Sequence, residues 1–173
     1  VVQQAAKRFL AHGNPFGVSL TETQMLIAGE RPRRATHSAP VLLLGCHALF
    51  SDQPLAHLAL ELARRVRPDV QLVLSTDPNG SQTICCGRTL SEAGERRSLE
   101  HHRLRMIDAL RDTTEWWVLE TTCLDDFITL SELHPNKPRV LSLAEVIAAS
   151  DLKPKQRARS ITLHSGCGVR RNV

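Results

Sequence analysis

The sequence predicts an α/β protein with a mostly parallel sheet and helices on both faces. Two observations carry this prediction. Short apolar runs, typical of buried strands, lie at residues 40–45, 70–75, 116–122 and 139–143. Segments with apolar residues at helical spacing lie between these runs. Strands that alternate with helices in this way form βαβ units, and such units build parallel sheets.

Composition fits one domain of ordinary globular character. The chain has 173 residues, of which 42% are hydrophobic and 23% charged, so it can bury a core without disulfides. No apolar run approaches the ~18 residues that cross a bilayer. The opening VVQQAAKRF lacks both the apolar centre of a signal peptide and an initiator Met. We therefore expect a cytoplasmic chain that is a fragment or a processed product.

The first 39 residues are predicted to form a short helical segment and a linker. Residues 1–11 favour a helix, which HGNPFG ends with Gly and Pro. Residues 20–28 favour a second short helix. Residues 29–40 are polar and contain Pro, so we place a domain boundary after residue 39.

From Pro40 onward the chain alternates between predicted strands and helices. Leu55, Leu58 and Leu62 share one helical face. The acidic Asp125 and Asp126 stand where a helix should begin, and there they complement its dipole. The predicted elements in chain order are strand 40–45, helix 54–66, strand 70–75, helix 98–110, strand 116–122, helix 125–133, strand 139–143, helix 144–149 and strand 161–166.

Charge and aromatic content argue against a nucleic-acid partner. The net charge is +4, but the basic residues are scattered along the chain. Aromatic residues make up only 3%, with no Tyr, whereas single-stranded nucleic-acid binders usually stack bases on aromatic side chains. No glycine-rich phosphate loop is present. We therefore expect neither nucleic acid nor a nucleotide as a ligand.

Five cysteines are the most informative residues: Cys46, Cys85, Cys86, Cys123 and Cys167. The odd number and the missing export signal argue against a secreted disulfide framework. Adjacent cysteines are poor disulfide partners, because a trans peptide holds their Cα atoms ~3.8 Å apart and a disulfide prefers ~5.5 Å. Clustered thiols in a reducing compartment indicate metal or redox chemistry.

The positions of these cysteines predict a common site. Cys46, Cys123 and Cys167 each follow a predicted strand, and Cys85 and Cys86 lie in the loop after residues 70–75. Sites form at the carboxyl ends of parallel strands. Thiolates select zinc, copper(I) or iron–sulfur clusters, and the C-x-x-C pairs of zinc ribbons are absent. The alternative is that each is a buried free cysteine acting as a small apolar side chain.

Histidines add weaker candidates. His47 follows Cys46, and His164 precedes Cys167 by three residues, so both are candidate ligands or proton carriers. An ordinary structural histidine is the more common case. His101 and His102 lie in the charged segment RRSLEHHRLR, and we expect both on a solvated face.

The cysteine spacing resembles that of a known family. In this sequence 38 residues separate Cys46 from Cys85, Gly87 completes a CCG triplet, and 36 residues separate Cys86 from Cys123 in CLDD. The pattern resembles the cysteine-rich CCG domain of iron–sulfur oxidoreductases related to heterodisulfide reductase. HGNPFG and LHSGCGVRRN are similar to segments flanking this domain in iron–sulfur subunits of glycolate oxidase and anaerobic glycerol-3-phosphate dehydrogenase.

The resemblance implies a Rossmann-like CCG domain at 40–158 and the start of a second CCG repeat at 159–173. It implies that Cys46, Cys85, Cys86 and Cys123 bind an iron–sulfur cluster of the [4Fe–4S] type. Asp126 stands where the family has a final cysteine, so it is a candidate fifth ligand, and Cys167 is a further candidate metal ligand. The ferredoxin-like domain of these subunits is absent from the sequence, and Gly168 replaces the family's His after Cys167.

The resemblance also implies a role and partners. The chain would be a subunit of an oxidoreductase that passes electrons from a flavoprotein dehydrogenase subunit to a quinone, a membrane-anchor subunit or another acceptor. Such a chain is cytoplasmic or peripheral at the inner face of the cell membrane. Two alternatives remain open: a metal-free α/β interaction module, and a thiol–disulfide enzyme using Cys85 and Cys86.

Overall fold

The computed structural model describes residues 1–18, 39–74 and 84–153, which form an α/β fold. Their four strands are β1 (Val41–Leu43), β2 (Gln71–Leu72), β3 (Glu115–Val118) and β4 (Arg139–Ser142). Their seven α-helices are α1 (Val2–His12), α2 (Cys46–Ser51), α3 (Gln53–Val66), α4 (Arg88–Glu92), α5 (Arg96–Ala109), α6 (Leu124–Leu133) and α7 (Leu143–Ala148). A 3₁₀ helix spans Thr121–Cys123.

The four strands form one parallel sheet in the order β2-β1-β3-β4. In the centre of the sheet Leu42 lies between Leu72 and Trp117. The strand order changes direction between β1 and β3. Ligand sites of open parallel sheets lie at this kind of switch point, beyond the carboxyl ends of the strands.

Helices cover both faces of the sheet because successive strand residues point to opposite sides. Leu42, Leu44 and Trp117 belong to one apolar core, which α3 and α7 cover. Trp116 and Val118 belong to the other, which α5 and α6 cover. The adjacent tryptophans are therefore buried on opposite faces, and the predicted fold class is confirmed.

Most predicted elements within the described residues are present with small shifts at their ends. The predicted strand 116–122 ends earlier, at Val118, and a 3₁₀ helix follows it. The short helices α2 and α4 were not predicted. The predicted helix 20–28, strand 161–166 and segment 159–173 lie outside the described residues, so the domain boundaries stay predictions.

The amino-terminal helix α1 packs against the cysteine-bearing part of the chain. Ala6 and Phe9 share a buried cluster with Cys85 and with Leu90 of α4. None of the helices in the described ranges has the length and apolarity that a membrane crossing requires.

Candidate cysteine site

Four of the five cysteines meet at the carboxyl edge of the sheet. Cys46 begins α2 just after β1, and Cys123 closes the 3₁₀ helix after β3. Cys85 and Cys86 lie beyond β2, where the Ile84 N–H donates to the Leu74 carbonyl at 2.9 Å. The predicted convergence of these cysteines is confirmed, and Cys167 lies outside the described residues.

The four thiols interact as a chain of neighbours. Cys85 is a hydrogen-bonding partner of Cys46 and Cys86, and Cys86 is in turn a partner of Cys123. Hydrogen bonds with Cys123 and Cys85 lower the pKa of the Cys86 thiol, and the charge of Arg88 acts in the same direction. Hydrogen bonds with the other thiols, together with burial, raise the pKa of Cys85 and Cys123. Of these three thiols, Cys86 therefore loses its proton more readily than Cys85 and Cys123.

The described cysteines are all free, and they differ in exposure. Cys85 and Cys123 are buried, whereas Cys46 and Cys86 are half-buried. Phe9 of α1, itself 1% exposed, lies in the same apolar cluster as Cys85. Helix α1 therefore shields Cys85, whereas Cys46 and Cys86 keep part of their surface exposed.

The histidine prediction on α5 is wrong for one of the two residues. His101 is exposed as expected, but His102 is only 1% exposed. Its Nε2 lies 2.6 Å from the carbonyl oxygen of Cys85. The reason is helical spacing: His102 is three residues after Leu99 and four before Met106, so it shares their inward-facing side.

Sequence reasoning also missed Glu120, which links the segments of two cysteines. Its Oε1 accepts a hydrogen bond from the Ala48 N–H at 2.6 Å, in the first turn of α2. Its Oε2 accepts one from the Cys123 thiol at 3.6 Å. Burial raises the pKa of Glu120. In the sequence Glu120 lay inside the predicted strand 116–122. The earlier end of β3, at Val118, places this carboxylate beyond the strand, where sites of parallel sheets form.

Gly45 makes room for this carboxylate. Its φ of +85° lies in a region that side chains disfavour, and a Cβ added there would lie 2.4 Å from Cδ of Glu120. The turn from β1 into α2 therefore requires glycine for both its conformation and its contact. This turn fixes where Cys46 begins its helix.

Asp126, the candidate fifth ligand, faces the site but already has a partner. Its Oδ2 accepts a hydrogen bond from Nε of Arg88 at 2.9 Å, and Nη2 of Arg88 lies 2.9 Å from the same oxygen in an ion pair. Burial, and then the charge of nearby Cys86, raise the pKa of Asp126 to about 6 against the influence of Arg88. Its role as a metal ligand stays a prediction, and Arg88 is a further site residue that was not predicted.

An open cavity of about 420 Å³ adjoins the site. Its walls combine apolar and polar groups: His47, Leu55, Leu119, Glu120, Thr121 and Thr122. His47 is exposed, and its nearness to Glu120 opposes the rise that burial causes in the pKa of that carboxyl. His164, the other candidate histidine, lies outside the described residues.

The donor set fits some metal centres better than others. Within the described ranges, no three or more His, Cys, Asp or Glu side chains are arranged to hold a single metal ion. An iron–sulfur cluster makes a different demand, because its several irons can each take a separate thiolate. Four thiols from three strand ends match that demand in type and number. A cluster bound here would replace the thiol–thiol hydrogen bonds by iron–thiolate bonds.

Comparison of the chain with family models, with curated proteins and with solved structures found no match. What the fold and site define is a class: an α/β protein with a thiol-rich site at the switch point of its parallel sheet. The likeness to the CCG domain rests on the sequence motifs alone.

Proposed function

We propose that this chain is an iron–sulfur electron-transfer subunit of a multi-subunit oxidoreductase. The observation that carries the proposal is the meeting of Cys46, Cys85, Cys86 and Cys123 at one edge of the sheet. The electrons would come from a flavoprotein dehydrogenase subunit, and the acceptor would be a quinone or a membrane-anchor subunit. These partners follow from the motif resemblance.

The four thiolates would hold a [4Fe–4S]-type cluster, which supplies one-electron transfer. The chain's own residues would set the potential of that cluster through burial, nearby charge and hydrogen bonds to sulfur. Arg88 places positive charge next to Cys86, which favours the more negative, reduced state. Phe9 and Leu90 keep water away from the Cys85 side.

The second candidate is a thiol–disulfide oxidoreductase, and a specific contact favours it. Cys86 has a lowered pKa and a neighbouring thiol in Cys123, which is distant in sequence. A thiolate is the nucleophile in disulfide exchange. Cys86 would attack a disulfide substrate and release one thiol. Cys123 would then displace the second thiol, leaving a Cys86–Cys123 disulfide and a substrate reduced by two electrons and two protons.

The primary test is metal content after anaerobic purification and reconstitution with iron and sulfide. We expect about four iron and four sulfide per chain, with a defined EPR signal on reduction. Cys85→Ser should lower the iron content, whereas Thr113→Val, a buried change before the amino end of β3, should not. Unchanged iron content in Cys85→Ser contradicts the ligand assignment.

The same preparation separates the alternatives. A colourless chain whose Cys86 and Cys123 form a disulfide on oxidation with glutathione disulfide would favour the thiol–disulfide candidate. A folded, colourless chain with no such disulfide would favour a metal-free interaction module. Mass spectrometry of tryptic peptides under non-reducing conditions distinguishes these two outcomes.

A further inference from the structure

His102 lies directly beside the peptide that joins the two adjacent cysteines. Its Nε2 is 2.6 Å from the carbonyl oxygen of Cys85. A carbonyl oxygen only accepts hydrogen bonds, so Nε2 carries the proton and donates. The ring is 1% exposed, which shields this hydrogen bond from competition by water.

The ring is held from several sides. Phe9 of α1 meets it edge-on, with ring centroids 4.9 Å apart. A Cβ added to Gly87, whose φ is +84°, would lie 3.1 Å from Cδ2 of His102 and 2.9 Å from Cδ1 of Leu99. The absence of a side chain at Gly87 is thus what lets the imidazole approach the CCG turn.

Space filling does not explain why this residue is histidine. With the proton on Nε2, the buried Nδ1 has no hydrogen-bond partner among the described residues. A buried polar atom without a partner is destabilising, whereas leucine would fill similar space without that penalty. His134 shows the contrast, because its Nε2 faces the Leu110 carbonyl and its Nδ1 accepts from the Asn136 N–H. The property that histidine has and leucine lacks here is the Nε2–H group, which donates to the carbonyl oxygen of Cys85.

This hydrogen bond fixes the orientation of the cysteine pair. The described peptide bonds are all trans, so the N–H of Cys86 points to the side opposite the Cys85 carbonyl. The two thiols interact with each other, and each has one further partner: Cys46 for Cys85 and Cys123 for Cys86. A rotated peptide would redirect both thiols together.

We propose that His102 is a positioning residue for Cys85 and Cys86, acting through the carbonyl of Cys85. For the cluster readouts the inference rests on the proposed function. Outer-shell partners of metal ligands change metal affinity by about 10- to 100-fold when they are removed. His102 would be such an outer-shell partner for two of the four proposed ligands, Cys85 and Cys86.

The test compares His102→Leu with His102→Gln, which keeps an N–H donor, and with His134→Leu. His134 is as buried as His102, and its ring also bonds a backbone carbonyl. It follows the last residue of α6, at the end of that helix away from Cys123. The first readout is iron affinity and EPR spectrum after reconstitution. The second, in cluster-free protein, is the rate at which iodoacetamide alkylates Cys85 and Cys86, measured by mass spectrometry.

We expect His102→Leu to lose roughly 10- to 100-fold in iron affinity and to change the ratio of the two alkylation rates. His102→Gln should recover much of both, and His134→Leu should lower thermal stability alone. Equal effects of His102→Leu and His134→Leu on every readout would overturn the proposal.

The proposed cluster and the proposed role of His102 are contradicted by different results. Wild-type protein that takes up no iron and sulfide contradicts the cluster, while the alkylation ratio still decides the role of His102. If His102→Leu does not fold, ¹⁵N-histidine spectra of the wild-type chain decide instead. A protected Nε2–H tautomer supports the proposal, and an Nδ1–H tautomer overturns it.

Discussion

The carboxylate of Glu120 occupies the place that a side chain on Gly45 would need. Cδ of Glu120 would lie 2.4 Å from a Cβ at position 45. The two residues follow adjacent parallel strands, β1 and β3, so their contact joins the two segments on either side of the switch point. The geometry of the cysteine site therefore depends on a glycine and a carboxylate as well as on thiols.

Gly45→Ala should strongly destabilise the protein. The change forces alanine into a glycine-favoured conformation, which costs about 1–3 kcal/mol, and adds a clash with Glu120. Gly94→Ala is the matched control, because its φ is +77° but nothing lies within 4 Å of the added Cβ. Urea unfolding should show the larger loss for Gly45→Ala. Equal losses of stability in the two variants would show that the contact with Glu120 is unimportant. Adding Glu120→Ala to Gly45→Ala should restore part of the lost stability, because it removes the clash.

Phe9→Ala should open the cysteine site from the α1 side. Phe9 is 1% exposed and packs in the cluster of Cys85, and truncation of a buried Phe typically costs about 3–5 kcal/mol. Alkylation of Cys85 should become several-fold faster. Leu10→Ala on the same helix is the control, since Leu10 is 51% exposed. Equal alkylation rates in both variants would mean that α1 does not shield the site.

Asp126→Cys tests the candidate fifth ligand. If position 126 contributes to the cluster, a thiolate there should change the EPR spectrum or the stability of the reconstituted cluster. Asp125→Cys adds a thiol one residue away, and Asp126→Asn removes the charge that pairs with Arg88. That partly exposed pair is worth about 0–1 kcal/mol, so the fold should tolerate all three changes. An unaltered spectrum in Asp126→Cys would argue against the ligand position.

His134 should make stability depend on pH in the acid range. Burial lowers its pKa below the ordinary value of about 6.5, and the nearby charge of Arg111 adds to this effect. The unfolded chain then binds the proton more readily than the folded chain. The contribution of His134 to stability is full above pH ~6.5 and is lost as pH falls through that value toward the folded pKa.

His134→Leu removes this titration, so its stability relative to wild type should improve as the pH falls from about 7.5 to about 5. Guanidinium unfolding at several pH values measures the difference. A difference that stays constant across this range would show that His134 titrates normally.

The fold class could be predicted from the sequence because the apolar runs and helical spacings are local signals. Trp116 and Trp117 sat in a recognisable strand, and each is buried on a different face. The strand order was not predictable, because it depends on pairings between distant segments such as Leu42 with Trp117. The helix beginning at Cys46 has only six residues, too few for a periodic pattern.

The site was partly predictable because the positions of the cysteines after strands are also local signals. Cysteines after strands imply a common edge, and four of them meet there. Glu120 and Arg88 carry no motif, and their roles emerge only from contacts across the sheet. His102 was misjudged because its charged neighbours obscured its spacing from Leu99 and Met106, although that spacing was available in the sequence.

The position of β1 between β2 and β3 has a consequence for how the site is made during biosynthesis. The pairing of β1 with both neighbouring strands brings the segments of the four thiols together, and such long-range pairings are slow steps of folding. In small zinc domains, by contrast, metal binding itself drives folding. If the proposed cluster is bound, its insertion would therefore follow the formation of this sheet edge.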